Sequence, residues 1–416
     1  MRVAIQTYGT RGDVQPYIAL ASGLMSRGHE VQLAGPEQFS SMACEYKIPF
    51  VPLPGSMLAL IDTPEGRSAL ASGKGFSAGF KLLQHVRPMM RQLLDAEWSA
   101  LQQFAPHVIV HHPKSIASPH IAEALGVPSI LASPLPGFTP TSYFPSPMLP
   151  FSNLGPLNKA SHTLAIKGAE LIFGKLIRQW RTTSLHLSKH RTASSFPSRT
   201  LYAYSRHVVP VPPDWGSDVL VSGYWFVDSS AWQPTEPLAA FLGDGDPPVY
   251  IGFGSMPGLD PAKLTNLVME SLAMTGKRGI LATGGGALSA GATSPNIHII
   301  ASAPHDRVFP RVSGVIHHGG AGTTAAALRA GKPSAICPFF GDQPFWAKRI
   351  ASLGAGPKPL ERKKLSAHDL ALAIKAMDSD AVQRKADEIG TAIRKEDGIK
   401  AAVAFIEAAL VADNIA

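Results

Sequence analysis

The sequence repeats one local pattern: a short apolar run, a turn containing glycine, then a helix with apolar periodicity. Residues 3–8 read as a buried strand and GTRGDVQP as a polar turn. Residues 17–27 read as a helix that stops at Gly28, and residues 30–34 as the next strand. Apolar residues at helical spacing run through 76–104, and strands are expected at 108–111 and 128–132. The pattern starts again past the middle. Strands are expected at 249–253, 279–283, 297–300, 314–317 and 334–338, with a helix at 261–275 and another after the glycine turn that follows residue 317. Such alternation folds as a parallel sheet with helices on both faces. Two runs of it in 416 residues exceed what one core holds. The expected fold class is therefore α/β, with two Rossmann-like doubly wound domains. The first spans 1–228, a linker carrying prolines and glycines spans 229–248, and the second spans 249–395, with 396–416 as a final helix. Folds of this class bind ligands outside the carboxyl ends of their strands, here in a cleft between the two domains.

Composition removes several function classes. No apolar run reaches the ~18 residues of a membrane span, and the apolar start is too short for a signal peptide and reads as the first strand. Two distant cysteines, Cys44 and Cys337, make neither a disulfide framework nor a zinc site, which suits a cytoplasmic protein. The formal charge of +8 raises nucleic acid as a partner, but the basic residues are scattered and no recognition motif accompanies them, so none is expected. The densest basic patch, residues 167–191, mixes Lys167, Lys175, Arg178 and Arg181 with Ile172, Phe173 and Trp180. It reads either as a core-packing helix with a solvated basic face or as a peripheral contact with anionic lipid. Residues 133–156 are rich in proline and aromatics, including Phe138, Tyr143 and Phe144, and read as a loop that either lines an apolar pocket or simply connects elements.

The chemistry concentrates in the turns. In HHGGAGTT, Gly319, Gly320 and Gly322 let backbone approach a ligand closely, and Thr323 and Thr324 stand where a helix starts. A helix N-terminus there favours an anion, and the absence of GK[ST] argues against a P-loop, so the motif indicates a phosphate without naming it. GFGSM offers a second cradle with Ser255, which suits a diphosphate. His317 and His318 alternate across an extended segment and are poor co-ligands for one metal. In the first turn Asp13, with Arg11 nearby, reads either as a general base for an incoming hydroxyl or as a helix-capping aspartate. Asp342 and Gln343 suit sugar hydroxyls, or form an ordinary turn.

Taken in order, GTRGDVQPYIALASGLMSRGHEV, GFGSM, PHDRVFPRV, HHGGAGTT and GDQPFWAKR resemble the sterol glucosyltransferases and the glycopeptide-antibiotic aglycone glycosyltransferases, inverting enzymes of the GT-B fold, over nearly the whole chain. The resemblance implies a diphosphate site at His318, Gly320, Ala321, Gly322 and Thr323 with Ser255 and Arg11, donor-sugar contacts from Asp342 and Gln343, and Asp13 as general base. It also implies that the final helix crosses back to the first domain. The expected reaction moves a hexose, glucose being favoured, from a UDP-sugar or TDP-sugar donor to a hydroxyl of a lipophilic acceptor, with inversion and with neither metal nor cofactor. Where relatives often carry Trp after PHD this sequence has Arg307, followed by Val308, so the nucleobase region departs from the pattern and leaves uridine against thymidine open. Phe80, Phe138, Tyr143 and Phe144 are the expected acceptor-pocket residues, and the acceptor class is a sterol, triterpenoid, polyketide or flavonoid. Two other readings stand beside this one: a nucleotide-sugar 2-epimerase of similar fold, and a non-catalytic partner that binds nucleotide sugar. Nothing in the sequence fixes the oligomeric state.

Overall fold

The computed structural model describes residues 1–62, 75–149, 151–189, 198–229, 232–254, 260–289 and 294–413. The chain divides into two compact units: one of residues 1–206, 210–227 and 397–416, the other of 207–209 and 228–396.

The first unit is built on a seven-stranded parallel sheet in the order β3-β2-β1-β4-β5-β6-β7. Its strands are β1 (Arg2–Gln6), β2 (Glu30–Pro36), β3 (Phe50–Leu53), β4 (Val108–His111), β5 (Ser129–Ser133), β6 (Thr200–Tyr202) and β7 (Val219–Val221). Periodicity misses β3, β6 and β7 because three or four residues give it too little to work with. β3 also carries Pro52, which it tolerates as an edge strand. Alternate residues of β1 feed opposite cores. Val3 and Ile5 pack with α1 (Arg11–Ser26), while Ala4 packs with α2 (Gly75–Phe104), α3 (Ser118–Leu125) and α4 (Asn158–Thr183). Helix α1 begins six residues before the expected start, because Thr10 and Asp13 form a reciprocal capping box that turns most of GTRGDVQP into its first turn.

The last helix, Gly398–Asp413, belongs to this unit and lays Ala402, Val403, Ile406 and Ala409 into the α1 core. Gly23 of α1 makes room for it, since a Cβ there would come 2.1 Å from Cγ2 of Ile399. At the rim, His29 Nε2 lies 2.9 Å from the Glu407 carboxylate.

The second unit has a five-stranded parallel sheet in the order β10-β9-β8-β11-β12. Its strands are β8 (Val249–Gly252), β9 (Gly279–Ala282), β10 (Ile297–Ile300), β11 (Gly314–His317) and β12 (Ser334–Ile336). Helix α5 (Glu236–Gly243), inside the stretch expected to be linker, buries Leu238 with Tyr250, Phe309 and Val315 on one face of the sheet. On the other face, α6 (Pro261–Thr275) contributes Leu264, Val268 and Leu272. Asp260 caps α6, its carboxylate accepting from the amides of Ala262 and Lys263.

Candidate active site

In each unit the strand order reverses between two central strands, β1 and β4 in the first and β8 and β11 in the second. The segments leaving these strands at their carboxyl ends carry the polar chemistry, as doubly wound sheets require.

In the first unit, β1 pairs with β4 so that Gln6 stands beside His111. Chain leaving β1 therefore meets chain leaving β4, and Asp13 meets His112 and Lys114. Asp13 occupies the third position of α1, where its carbonyl accepts from the Thr7 hydroxyl at 2.5 Å. Its carboxylate has four donors. Oδ2 accepts from the Thr10 amide at 2.8 Å, the Thr10 hydroxyl at 3.1 Å and Lys114 Nζ at 2.8 Å, and Oδ1 faces His112 Nε2 at 3.2 Å. Three donors crowd Oδ2, whereas Oδ1, with His112 as its one donor among the described residues, keeps a lone-pair site open.

The tautomer of His112 follows from its other nitrogen. Nδ1 lies 3.1 Å from the Lys114 amide and must accept from it, which leaves the proton on Nε2, pointed at Asp13. His112 is buried, and that burial pushes its pKa down against the pull of Asp13, so the neutral ring is the resting form. Both ring nitrogens are occupied, which makes His112 a support for the carboxylate and leaves it no lone pair for a substrate. Burial alone would raise the Asp13 carboxyl, but the hydrogen bond from His112 and the Lys114 charge outweigh it and hold the group well below the usual carboxylate range. Asp13 is thus both the helix cap and an ionised, partly accessible carboxylate at the switch point. Arg11 opens α1, exposed, with Nε on Gln15 at 3.1 Å.

In the second unit, β11 leads into Gly319, whose φ of +92° turns the chain sharply. A Cβ at Gly319 would come 2.7 Å from Cγ2 of Ile336 and 3.2 Å from the Gln343 carbonyl, so only glycine fits where this turn approaches the next loop. Gly320 then caps α7 (Ala321–Arg329) in extended conformation. Its carbonyl accepts from the Thr324 amide at 3.0 Å and hydroxyl at 2.9 Å. The amides of Ala321, Gly322 and Thr323 have no intrahelical acceptor, and Gly322 is exposed. The His318 ring rests against the N-cap, where a Cβ on Gly320 would lie 2.6 Å from its Nε2, and against Gly254, whose φ is +62°. His318 Nδ1 is buried with no hydrogen-bond partner, and burial pushes the imidazole down to about 4. This site offers a neutral imidazole beside three free amides at a helix N-terminus, a set suited to an anion. The neighbouring His317 is wholly buried, with Nδ1 accepting from the Gly319 amide at 3.0 Å, so it shapes the turn. Ser255 lies outside the described residues.

Asp342 and Gln343 stand at the start of α8 (Gln343–Leu353), beside the Gly319 turn. Asp342 is half-buried and its Oδ2 accepts from the Trp346 indole at 2.8 Å. Gln343 is buried, with Oε1 accepting from the amides of Phe339 and Phe340 at 2.7 and 3.2 Å. Gln343 therefore holds its own loop in shape, the turn role that stood beside sugar binding for this pair. Around 305–308, Val308 packs in the core and Arg307 donates from Nε to the Ser229 carbonyl at 2.7 Å. Only Arg307 of that pair is exposed at a surface.

The proline-rich loop is pinned by polar side chains. Tyr202 accepts from the Phe138 amide at 3.2 Å, and Asp214 accepts from the Thr141 hydroxyl at 2.7 Å and the Ser142 amide at 2.8 Å. Phe144 packs edge-to-face on His162 and Trp215, whereas Tyr143 points into solvent at 61 % exposure. Phe80 falls within α2, with its side chain outside the described residues. Among the described residues no group of three or more His, Cys, Asp or Glu side chains is arranged to hold a metal ion.

Sequence reasoning missed His112, Lys114 and Trp346. HHPK at the end of β4 was visible, but its meeting with Asp13 depends on the strand order, which periodicity does not carry. Asp342 and Trp346 are spaced i, i+4 at a helix start, a signal the sequence did hold.

Comparison with known proteins gives the family and the fold. Residues 3–144 match the family model described as glycosyltransferase family 28 N-terminal domain, and residues 267–397 the model described as erythromycin biosynthesis protein CIII-like, C-terminal domain. The sterol 3-beta-glucosyltransferase UGT80B1 of Arabidopsis thaliana is 37 % identical over 97 % of this chain and 67 % of its own length. The chain belongs to the glycosyltransferase family of that protein. A second Arabidopsis relative, sterol 3-beta-glucosyltransferase UGT80A2, is 34 % identical, and the chain spans 64 % of its length. A sterol 3-beta-glucosyltransferase of Emericella nidulans is 35 % identical, with 30 % of its length spanned. Among solved structures, the calicheamicin glycosyltransferase superposes with a TM-score of 0.72 at 17 % identity, covering 98 % of this chain and 97 % of that one. SnogD of Streptomyces nogalater gives 0.68 at 20 %, covering 98 % and 99 %. The fold of this glycosyltransferase is GT-B.

Proposed function

We propose that this glycosyltransferase moves glucose from UDP-glucose to the hydroxyl of a lipophilic acceptor, a sterol first among the candidates, by a single inverting displacement. The observation that carries the reading is Asp13: a partly accessible carboxylate, ionised throughout the physiological range, held by a buried His112 at the switch point of its sheet. Asp13 takes the proton as the acceptor oxygen attacks the anomeric carbon, because that oxygen becomes acidic as its bond to carbon forms. Oδ1, which His112 alone approaches among the described residues, has a lone pair left for that proton, while Lys114 on Oδ2 helps keep the carboxylate ionised. The leaving diphosphate gathers charge as its bond to the sugar breaks, and the first turn of α7 with His318 meets that charge at fixed dipoles. Asp342, steadied by Trp346, receives donor-sugar hydroxyls. Attack from the face opposite the leaving group gives a β-glycoside from an α-linked donor, by the geometry that governs single displacements at sugars. The sterol acceptor rests on the names of the relatives, and the apolar loop 133–156 suits such a body.

The test is product formation followed by mass spectrometry. Wild type and Asp13→Asn are incubated with UDP-glucose or TDP-glucose and a panel of sterols, flavonoids and polyketide aglycones, with chelator present. A hexose-shifted sterol made by wild type with UDP-glucose, lost in the variant and unaffected by chelator, is expected. Conversion of the donor to a 2-epimer with no glycoside would instead make the protein an epimerase. Donor binding with neither product would make it a binding partner.

A further inference from the structure

Between Glu123 and Asp214 lie 90 residues with nine lysines and arginines and a single acid, Glu170. That excess equals the chain's entire formal charge of +8, so the remaining sequence balances. The same segment exposes apolar side chains. Of the ten large hydrophobics standing out into solvent among the described residues, six lie between residues 143 and 172. Leu164, at 71 %, is the most exposed of all.

Helix α4 organises these features. Trp180 and His162 face the core, and Arg181, buried beside Glu123 at 2.8 Å, has a structural task. The outward face presents Leu164, Lys167, Lys175 and Arg178, spaced i, i+3, i+11 and i+14, with Ile172 at its edge. It runs for about 20 Å along the helix. The loop leading into α4 adds Met148, Phe151 and Leu157, exposed at 53, 54 and 63 %.

We infer that α4 and its preceding loop form a peripheral docking surface for an anionic bilayer. Aliphatic side chains standing between lysines, with one acid in the segment, match the lipid interface: the apolar groups enter the acyl boundary while the long basic stems reach the headgroups. A protein partner is the poorer fit, because lysine is depleted in protein–protein interfaces. Nucleic acid is poorer still, since the exposed apolar side chains of this helix face, Leu164 and Ile172, are aliphatic and Phe151 is the one aromatic among Met148, Phe151 and Leu157, too few for a stacking platform. No described helix is long and apolar enough to cross a membrane, so the contact lies on the surface. The inference stands on this surface alone and holds whatever the acceptor is.

The experiment is sedimentation of the whole protein with vesicles of phosphatidylcholine, alone or mixed with phosphatidylglycerol, at low and high salt. Wild type is expected to pellet with the mixed vesicles, weakly with the neutral ones, and to be released by salt. Each basic residue near an anionic surface is worth about a five-fold change in partition, so Lys167→Gln, Lys175→Gln and Arg178→Gln together should weaken binding roughly a hundred-fold. Leu164→Gln with Ile172→Gln should weaken binding to the same vesicles at both salt concentrations. Circular dichroism and thermal melts of both variants should match wild type, as the substituted side chains are exposed. Equal binding to both vesicle types, no binding, or undiminished binding by the triple variant overturns the proposal. So does a dimer of wild type on gel filtration that Leu164→Gln with Ile172→Gln dissolves, which would give the face to a second copy of the chain.

Discussion

If Asp13 is the base, its basicity is set by donors of very different exposure, and substitutions should separate them. Lys114 donates to Oδ2 at 2.8 Å, but its side chain is 54 % exposed. Exposed ion pairs are worth about 0.2–1 kcal/mol. One pKa unit corresponds to about 1.4 kcal/mol, so Lys114→Met should raise the Asp13 pKa by less than about one unit. His112 is buried, and no water easily replaces its Nε2–H. Leaving a buried acceptor unpaired costs about 1–3 kcal/mol, so His112→Leu should raise the pKa by roughly one to two units. A raised pKa means the carboxylate is protonated sooner as pH falls. The acid limb of kcat/KM, read at saturating donor, should therefore move upward by a small step in Lys114→Met and a larger one in His112→Leu. In wild type this limb is expected below the ordinary carboxylate range, since His112 and Lys114 hold the Asp13 carboxyl down.

Stability follows the same sign. A depressed carboxyl contributes stability that is present above its unfolded value and lost as pH falls through its folded value. His112→Leu should accordingly advance acid unfolding to higher pH. Lys114→Met leaves the open lone pair of Oδ1 untouched, so its plateau rate should hold. An unmoved acid limb in His112→Leu, or a limb that moves down, would refute the reasoning and assign the base to another group. A plateau that falls more than ten-fold in Lys114→Met would refute the idea that Oδ1 takes the proton without help from Lys114.

Other outcomes follow from the same geometry. Gly320→Val puts a side chain where a Cβ already lies 2.6 Å from His318 Nε2, so calorimetry should find UDP binding weakened at least ten-fold with the fold retained by circular dichroism. Trp346→Phe removes the indole donor from Asp342; charged hydrogen bonds are worth about 1.5–3 kcal/mol, so steady-state kinetics should register a roughly ten-fold or greater loss in kcat/KM for the donor. Glu97 is buried in α2, and burial pushes its carboxyl up to about 8 despite a hydrogen bond from Ser118. Its proton favours the fold, a contribution complete below the unfolded value and lost as pH rises toward 8, so Glu97→Gln should flatten the dependence of Tm on pH over that window.

The architecture was legible because each strand–turn–helix unit carries its own local punctuation. The apolar run, the glycine turn and the periodic helix of 314–329 declare themselves without any partner. Very short strands carry no such signature: β6 and β7 exist because Leu131 and Leu201 find neighbours, not because three residues prefer extension. The glycine turn was legible for the same local reason, as a glycine with φ of +92° and a helix N-terminus are both written in HHGGAGTT.

The Asp13 site was half legible, and the half that was hidden decides its chemistry. Local sequence says that an aspartate three residues after Thr10 can cap a helix, and the capping box is there. A cap alone would leave the carboxylate with the Thr10 donors. What changes its character is a histidine 99 residues further on, brought to 3.2 Å by the pairing of β1 with β4, together with a lysine two residues beyond that. The histidine amide partner fixes which ring nitrogen carries the proton, and so fixes His112 as a donor. Capping thus does not exclude the proposed base chemistry. The cap holds the carboxylate in one orientation, the buried histidine and the exposed lysine keep it ionised, and their placement leaves a lone pair open on Oδ1. A sequence read element by element offers the first of these. The other two require the sheet.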